Sequence, residues 1–361
     1  KNNNSPAHSS RKRYSGDTLY YGHGVICDKA FGDYYILGKE LGRGAFASVY
    51  KCQQKGTSNF WSVKLLNKKK YRKVAATEIG ILLKLKHPNV VRLKEVFESA
   101  EEVHMVLELV TGGELFERII TRGHYSEKDA ACAVKDMVTA VAYLHRNGVV
   151  HRDLKPENML YEDLSEHARL KITDFGLSKI LGTDATMHTV CGTPTYCAPE
   201  IFLGKKYTQS VDMWSLGVVT YILLSGYEPF IASTDREMFK KIIKCDYEFD
   251  SPYWDAISEN AKDLIRKMLM LEPNKRITAE HALKHPWVMG LATKNVHMEE
   301  AVVQIKTFNA KRKLKKATEA VLAVARATHH LPLDMVQMVN IGDSTTPNTN
   351  TNITGGNEKM T

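Results

Sequence analysis

Short, largely apolar runs of β type, set apart by polar turn-forming residues, occupy the first third of the folded part of the chain. They are Tyr34 to Leu41, Val49 to Gln53, Phe60 to Leu66, Val90 to Phe97 and Val103 to Val110. Runs of this length and type with turn residues between them predict a small antiparallel sheet. One helical stretch, Lys73 to Leu85, interrupts the strands, with Glu78 near its middle. From Ser126 onward the pattern changes to helix: Ala130, Val134, Met137, Val138, Val141 and Leu144 share one helical face. Ser126 is placed to cap that helix, and Asn147-Gly148 is placed to end it. Further helices are expected at Val211 to Leu224, Glu259 to Met270 and Ala279 to Lys284. The pattern predicts an α+β chain in two lobes, an N-lobe of antiparallel β-sheet plus one helix followed by a mainly α-helical C-lobe. No repeat of fixed period is visible.

Composition narrows the setting. The 361 residues are 43% hydrophobic and 25% charged, ordinary proportions for a globular protein with a sizeable core. The net charge of +9 divides evenly, +3 in each of residues 1–32, 33–290 and 291–361. The centre is nearly neutral for its size and the flanks are basic, which argues against a nucleic-acid-binding body. The six cysteines lack C-x-x-C spacing, so neither a zinc site nor a disulfide framework is suggested. No apolar run reaches the ~18 residues of a membrane span. A soluble, membrane-free, monomeric protein of the cytoplasm is expected, with Arg11-Lys12-Arg13 a short candidate nuclear address. Residues 1–32 and 331–361, rich in Asn, Thr, Ser and Gly, are expected to be disordered tails.

The chemistry is concentrated in one stretch. His151-Arg152-Asp153-Leu154-Lys155-Pro156-Glu157-Asn158 is followed by Asp174-Phe175-Gly176. Together they supply a proton acceptor (Asp153), a phosphate-binding cation (Lys155) and two hard oxygen ligands of the kind Mg²⁺ prefers (Asn158, Asp174). Phosphoryl transfer needs little covalent help from a protein and much positioning and charge neutralisation, and these residue types fit that demand. Leu41-Gly42-Arg43-Gly44-Ala45-Phe46-Ala47-Ser48-Val49 joins the first two strands. Its glycines would let backbone N–H groups approach a triphosphate, although an ordinary hairpin turn has the same look.

These motifs, in this order, resemble those of eukaryotic-type protein kinases. The resemblance implies ATP and Mg²⁺ as cofactors, with Leu41, Gly42, Gly44 and Val49 around the nucleotide. It makes Lys64, in Trp61-Ser62-Val63-Lys64, the cation on the α- and β-phosphates and Glu78 its partner. Leu107 resembles the gatekeeper, and Glu108 to Val110 the hinge whose backbone would bind adenine. Asp212 and Arg276 correspond to structural anchors, the latter paired with Glu200. Two departures stand out: Ala47 replaces the third glycine of the loop and Ser62 replaces an alanine. Gly192-Thr193-Pro194-Thr195-Tyr196-Cys197-Ala198-Pro199-Glu200, with Lys155, is similar to the serine/threonine branch. Glu114 and Glu157 match positions that hold a substrate arginine three residues before the phosphoacceptor. Arg152 and Lys179 would give a phosphate on Thr189 charged partners, so Thr189 is expected to be a regulatory phosphosite served by an upstream activating kinase.

After His285-Pro286-Trp287-Val288, the stretch Lys306 to Arg326 carries seven basic residues and one acidic. Ala310, Leu314, Ala317, Val321, Leu322 and Ala325 share one helical face, and Arg312, Lys315, Lys316 and Arg326 lie opposite. Such a basic amphipathic helix suits calmodulin, an acidic membrane surface or the parent domain's own groove. With Val110-Thr111-Gly112-Gly113-Glu114-Leu115-Phe116 and Phe308-Asn309-Ala310-Lys311-Arg312-Lys313-Leu314-Lys315, the chain resembles the Ca²⁺/calmodulin-dependent protein kinases, its type IV branch most of all. That resemblance implies a kinase domain over 33–288. It also implies an autoinhibitory, calmodulin-binding segment over 291–330 that includes Lys311, Arg312, Lys313, Leu314, Lys315, Val321 and Leu322.

Overall fold

The computed structural model describes residues 26–27, 30–44, 47–180 and 194–327, with backbone alone at 26–27 and 319–327. In chain order the first elements are β1 (Ile26–Cys27), α1 (Phe31–Tyr34), β2 (Tyr35–Arg43), β3 (Ala47–Gln54), β4 (Phe60–Asn67), α2 (Lys68–Leu82), β5 (Leu93–Glu98) and β6 (Glu102–Leu107). They build a six-stranded sheet in the order β1-β5-β6-β4-β3-β2. The expected strands pair antiparallel throughout. Register lines up Gly42, Val49, Lys64 and Met105 across four of them, which sets the glycine loop beside the lysine strand.

Several boundaries differ from the sequence expectation. The 1–32 tail is not wholly without structure, because Ile26–Cys27 adds a parallel edge strand on β5. Phe31, next in line, stacks on Tyr35 at 5.2 Å and on His104 at 4.9 Å, enough apolar contact to hold this end of the chain on the sheet. Helix α2 starts at Lys68 rather than Lys73, because the Asn67 side chain accepts the Lys70 N–H as an N-cap, and a kink at Tyr71 joins the two parts. Its first turn is lysine-rich with no apolar spacing, so periodicity could not mark it. Val90 and Val91 leave the expected strand and pair instead with Ile172 in the other lobe. The last expected strand ends at Leu107, where the chain turns into the segment joining the lobes.

The second lobe contains α3 (Leu115–Arg122), α4 (Glu127–Arg146), β7 (Val149–Val150), β8 (Met159–Tyr161), β9 (Leu170–Ile172) and β10 (Lys179–Ile180). It continues with α5 (Pro199–Phe202), α6 (Ser210–Ser225), α7 (Asp235–Lys244), α8 (Glu259–Met268), α9 (Ala279–Ala282) and α10 (Glu299–Ala327). A reciprocal capping box starts α4, in which Ser126 accepts the Asp129 N–H and Asp129 accepts the Ser126 N–H. Every residue of α6 from Val211 to Ser225 is buried, so the helix is a central post with no polar face. It stops at Gly226, whose φ of 82° suits glycine. A Cβ there would lie 2.3 Å from the Gln304 Cβ, so the glycine also admits the first turns of α10. Those turns dock through buried Ala301 and Ile305, with the Phe308 ring edge-on to Phe116 at 5.7 Å. From Ala310 the chain belongs to a second compact unit, helical to Ala327, in which Lys311, Lys313, Leu314 and Lys315 are exposed. The expected tail over 331–361 lies outside the described residues.

Candidate active site

On the sheet side, β4 carries Lys64 inward and α2 presents Glu78 opposite it. The Lys64 Nζ lies 2.7 and 2.8 Å from the two Glu78 carboxylate oxygens and 2.8 Å from Asp174 Oδ1. Lys64 and Glu78 are buried, while the Asp174 side chain remains half exposed. Burial works against the Lys64 ammonium, but the two carboxylates outweigh it and hold its pKa above the ordinary lysine value. Burial would raise the Asp174 pKa, yet the Lys64 charge and hydrogen bond bring it down to about 2. The carboxylate is therefore ionised at neutral pH. Gly42 pairs with Val49 on β2 and β3, and the Gly44 N–H donates to the Ala47 carbonyl at 2.9 Å. Leu41 stays exposed and Val49 is half-buried.

On the helical side, Asp153 and Asn158 are buried within five residues of each other. The Asn158 amide donates to the Asp153 backbone carbonyl at 2.8 Å and to its Oδ2 at 3.2 Å, and Lys155 Nζ lies 2.7 Å from the same Oδ2. The loop is shaped from beneath by Asp212 on α6. Its fully buried carboxylate accepts the His151 and Arg152 N–H groups at 3.0 and 2.9 Å and meets His145 Nε2 at 2.9 Å. Burial raises the Asp212 pKa, but the His145 hydrogen bond and the charges around it prevail and lower it. Arg152 and Asp174 both adopt left-handed backbone, φ 69° and 60°, strain of the kind a tightly held site stores. The Thr173 N–H donates to the Asn158 carbonyl at 2.9 Å, so the Asp153 loop and the Asp174 loop are stitched side by side.

Between the lobes, Glu108 to Val110 follow β6, and the Ser62 hydroxyl donates to the Glu108 carbonyl at 3.1 Å. Glu114 stands at the N-cap of α3 and Glu157 lies in the turn after Lys155. Arg152 Nε donates to the Leu177 carbonyl and its NH1 to the Tyr207 hydroxyl, while Lys179 pairs with Val150 on the neighbouring strand. Thr189 lies outside the described residues, as do Ala45 and Phe46 of the glycine loop. Away from the cleft, Arg276 grips Glu200 through two hydrogen bonds of 2.8 and 3.0 Å.

Two participants are absent from the sequence reading. His145 reads as one more residue on the α4 wheel, yet it holds Asp212. Lys171, between Leu170 and Ile172, is 4% exposed and meets Glu108 at 3.0 Å. A lysine flanked by apolar residues three positions before Asp174 was the available hint.

Among the described residues no group of three or more His, Cys, Asp or Glu side chains could hold a metal by itself. The pair of Asn158 and ionised Asp174 fits Mg²⁺ all the same, since that ion takes one or two protein oxygens and completes its shell with phosphate and water. Also among the described residues, no helix is long and apolar enough to cross a membrane.

Residues 35–288 match the protein kinase domain. The chain is 56% identical over 298 residues to calcium/calmodulin-dependent protein kinase type IV of Homo sapiens, covering 82% of this chain and 63% of that protein. It is 55% identical over 296 residues to the type IV kinase of Mus musculus, with the same two coverages. It is 48% identical over 278 residues to myosin light chain kinase A of Dictyostelium discoideum, covering 75% of this chain and 94% of that one. The chain thus spans just under two thirds of the length of the type IV relatives it matches.

Proposed function

This chain belongs to the protein kinase family, and from that premise we propose that it is a calmodulin-dependent serine/threonine kinase that phosphorylates protein hydroxyls from ATP. The observation that carries the reading is the Lys64 ammonium shared between Glu78 and Asp174, whose loop the Thr173 N–H ties to the Asp153–Lys155–Asn158 cluster. In the proposed reaction the substrate hydroxyl oxygen forms a bond to the γ-phosphorus, the bond to the β,γ-bridging oxygen breaks, and ADP leaves. Asp153 orients that hydroxyl and accepts its proton. Lys155 steadies the γ-phosphoryl oxygens, and Lys64 neutralises charge on the α- and β-phosphates. Mg²⁺, held by Asn158 and Asp174, would supply further neutralisation of the phosphate charge. Glu114 and Glu157 are the proposed acceptors for an arginine three residues before the phosphoacceptor.

Regulation is proposed to lie in α10. The names of the type IV relatives and the basic helical stretch support a calmodulin site at Lys311, Arg312, Lys313, Leu314, Lys315, Val321 and Leu322. Calmodulin would favour the state in which this segment is free, and an upstream kinase would add a phosphate at Thr189 beside Arg152 and Lys179. The domain boundaries of 33–288 and 291–330, the monomeric state and a cytoplasmic or nuclear location belong to the same proposal. Transfer of labelled phosphate to an Arg-x-x-Ser peptide, with and without Ca²⁺/calmodulin, tests it. Transfer stimulated by calmodulin and abolished by Asp174→Ala is expected. Transfer indifferent to calmodulin would leave an autoinhibited kinase of another kind, and none at all would leave a non-catalytic scaffold.

A further inference from the structure

Lys171 lies outside the proposed chemistry, yet it is among the most buried cations of the molecule, 4% exposed on β9. Its ammonium donates to one backbone carbonyl and pairs with two carboxylates, the second at longer range, one from each of three segments. They are the Pro88 carbonyl at 2.8 Å, Glu108 Oε1 at 3.0 Å and Glu162 Oε1 at 3.7 Å. Pro88 lies in the loop that follows α2, the helix bearing Glu78. Glu108 is the first residue of the connection between the lobes. Lys171 itself stands three residues before Asp174.

Each of these segments is fixed in turn. The Ile172 N–H donates to the Asn89 carbonyl at 2.9 Å, and the Val91 N–H donates to the Ile172 carbonyl at 3.0 Å. Glu108 is held on both its backbone and its side chain. Its N–H donates to the Arg92 carbonyl at 2.9 Å, and its Oε2 accepts the Arg92 N–H at 3.2 Å. A buried ammonium cannot leave such partners without heavy desolvation cost, so the Lys171–Glu108 contact behaves as a fixed strut rather than a loose surface pair.

We propose that Lys171 is a positioning residue that sets the separation between the lobe connection, where a purine base would sit, and the Asp174 loop, where the phosphates would be met. This rests on the nucleotide-binding reading above. A ligand that spans both ends depends on the strut, and a ligand that occupies only the base end does not. Affinity for Mg·ATP and for adenosine should therefore respond differently to its loss.

The test measures calorimetric affinities of both ligands for the full chain and for its Lys171→Met and Lys171→Gln forms. The expected result is Mg·ATP affinity about ten-fold weaker in both variants, with adenosine within about two-fold of wild type. Parallel weakening of both ligands would reduce Lys171 to a fold-stabilising role, and unchanged Mg·ATP affinity would remove the strut; either overturns the proposal. Should Lys171→Met fail to fold, Lys171→Gln decides alone, because its amide keeps a donor for the Pro88 carbonyl while removing the charge that meets Glu108. A wild-type chain that bound neither ligand would bring down the nucleotide reading itself, and the strut with it.

Discussion

Two buried ion clusters, one in the active cleft and one away from it in the C-lobe, differ in how open they are. In the C-lobe, Arg276 spends its guanidinium on both Glu200 oxygens, the Ser210 carbonyl and the Met270 carbonyl, with its plane near the Trp214 ring; both ionic side chains are sealed. In the cleft, Lys64 is nearly as deeply placed between Glu78 and Asp174, but Asp174 keeps half its side chain open. Burial and charge pairing alone do not separate a structural anchor from a working site. The open carboxylate does, because an ion pair with one accessible partner can exchange it for metal or phosphate, whereas a closed one can only hold the fold together.

The comparison can be broken at three points. The largest effect is expected from Asp153→Ala, next to the open cluster, which should slow peptide phosphorylation about 10³-fold, roughly 4 kcal/mol of barrier. Its urea midpoint should stay near wild type, and a large loss of stability there would blur the contrast. Arg276→Met should do the reverse. It leaves Glu200 buried without its partner and should cost about 3 kcal/mol of unfolding free energy in urea titration. Turnover per folded molecule should be retained. The smallest effect concerns Asp174, whose pKa of about 2 lies below the ordinary carboxylate value. A lowered folded-state pKa adds stability that is complete above about pH 4 and fades as pH falls through about 2. Asp174→Asn should therefore remove about 1 kcal/mol at neutral pH, after allowance for solvent screening of a half-exposed group, and less at pH 2. An Asn variant whose deficit was constant from pH 7 to pH 2 would contradict the assignment of that stability to ionised Asp174.

Legibility followed the range of the interactions involved. The strands of the first lobe were readable because they are short β-type runs set between turn residues, although their burial does not alternate: β2 is exposed beyond Tyr35, and β4 buries Ser62, Val63 and Lys64 in succession. Helix α4 was readable because its apolar stripe and its Ser126 cap are local. Helix α6 kept its expected position, although its uniform burial removed any face to read. Helices α3 and α7 had no sequence expectation, and the lysine-rich start of α2 depends on a cap from Asn67 rather than on spacing. The site residues Lys64, Glu78, Asp153, Lys155, Asn158 and Asp174 were named from motif order. Their distances follow from sheet register and from loops pinned by Asp212.

The residue order by itself determined which chemical groups are available and which stretches become strand or helix, since both depend on side-chain type and short-range period. Tertiary structure alone decided that Lys64 sits between two carboxylates, that His145 meets Asp212 and that Lys171 reaches Glu108. Those contacts join residues 14 to 110 positions apart. Their energies depend on removal from water, and removal from water is a property of the packed molecule rather than of any segment of the chain.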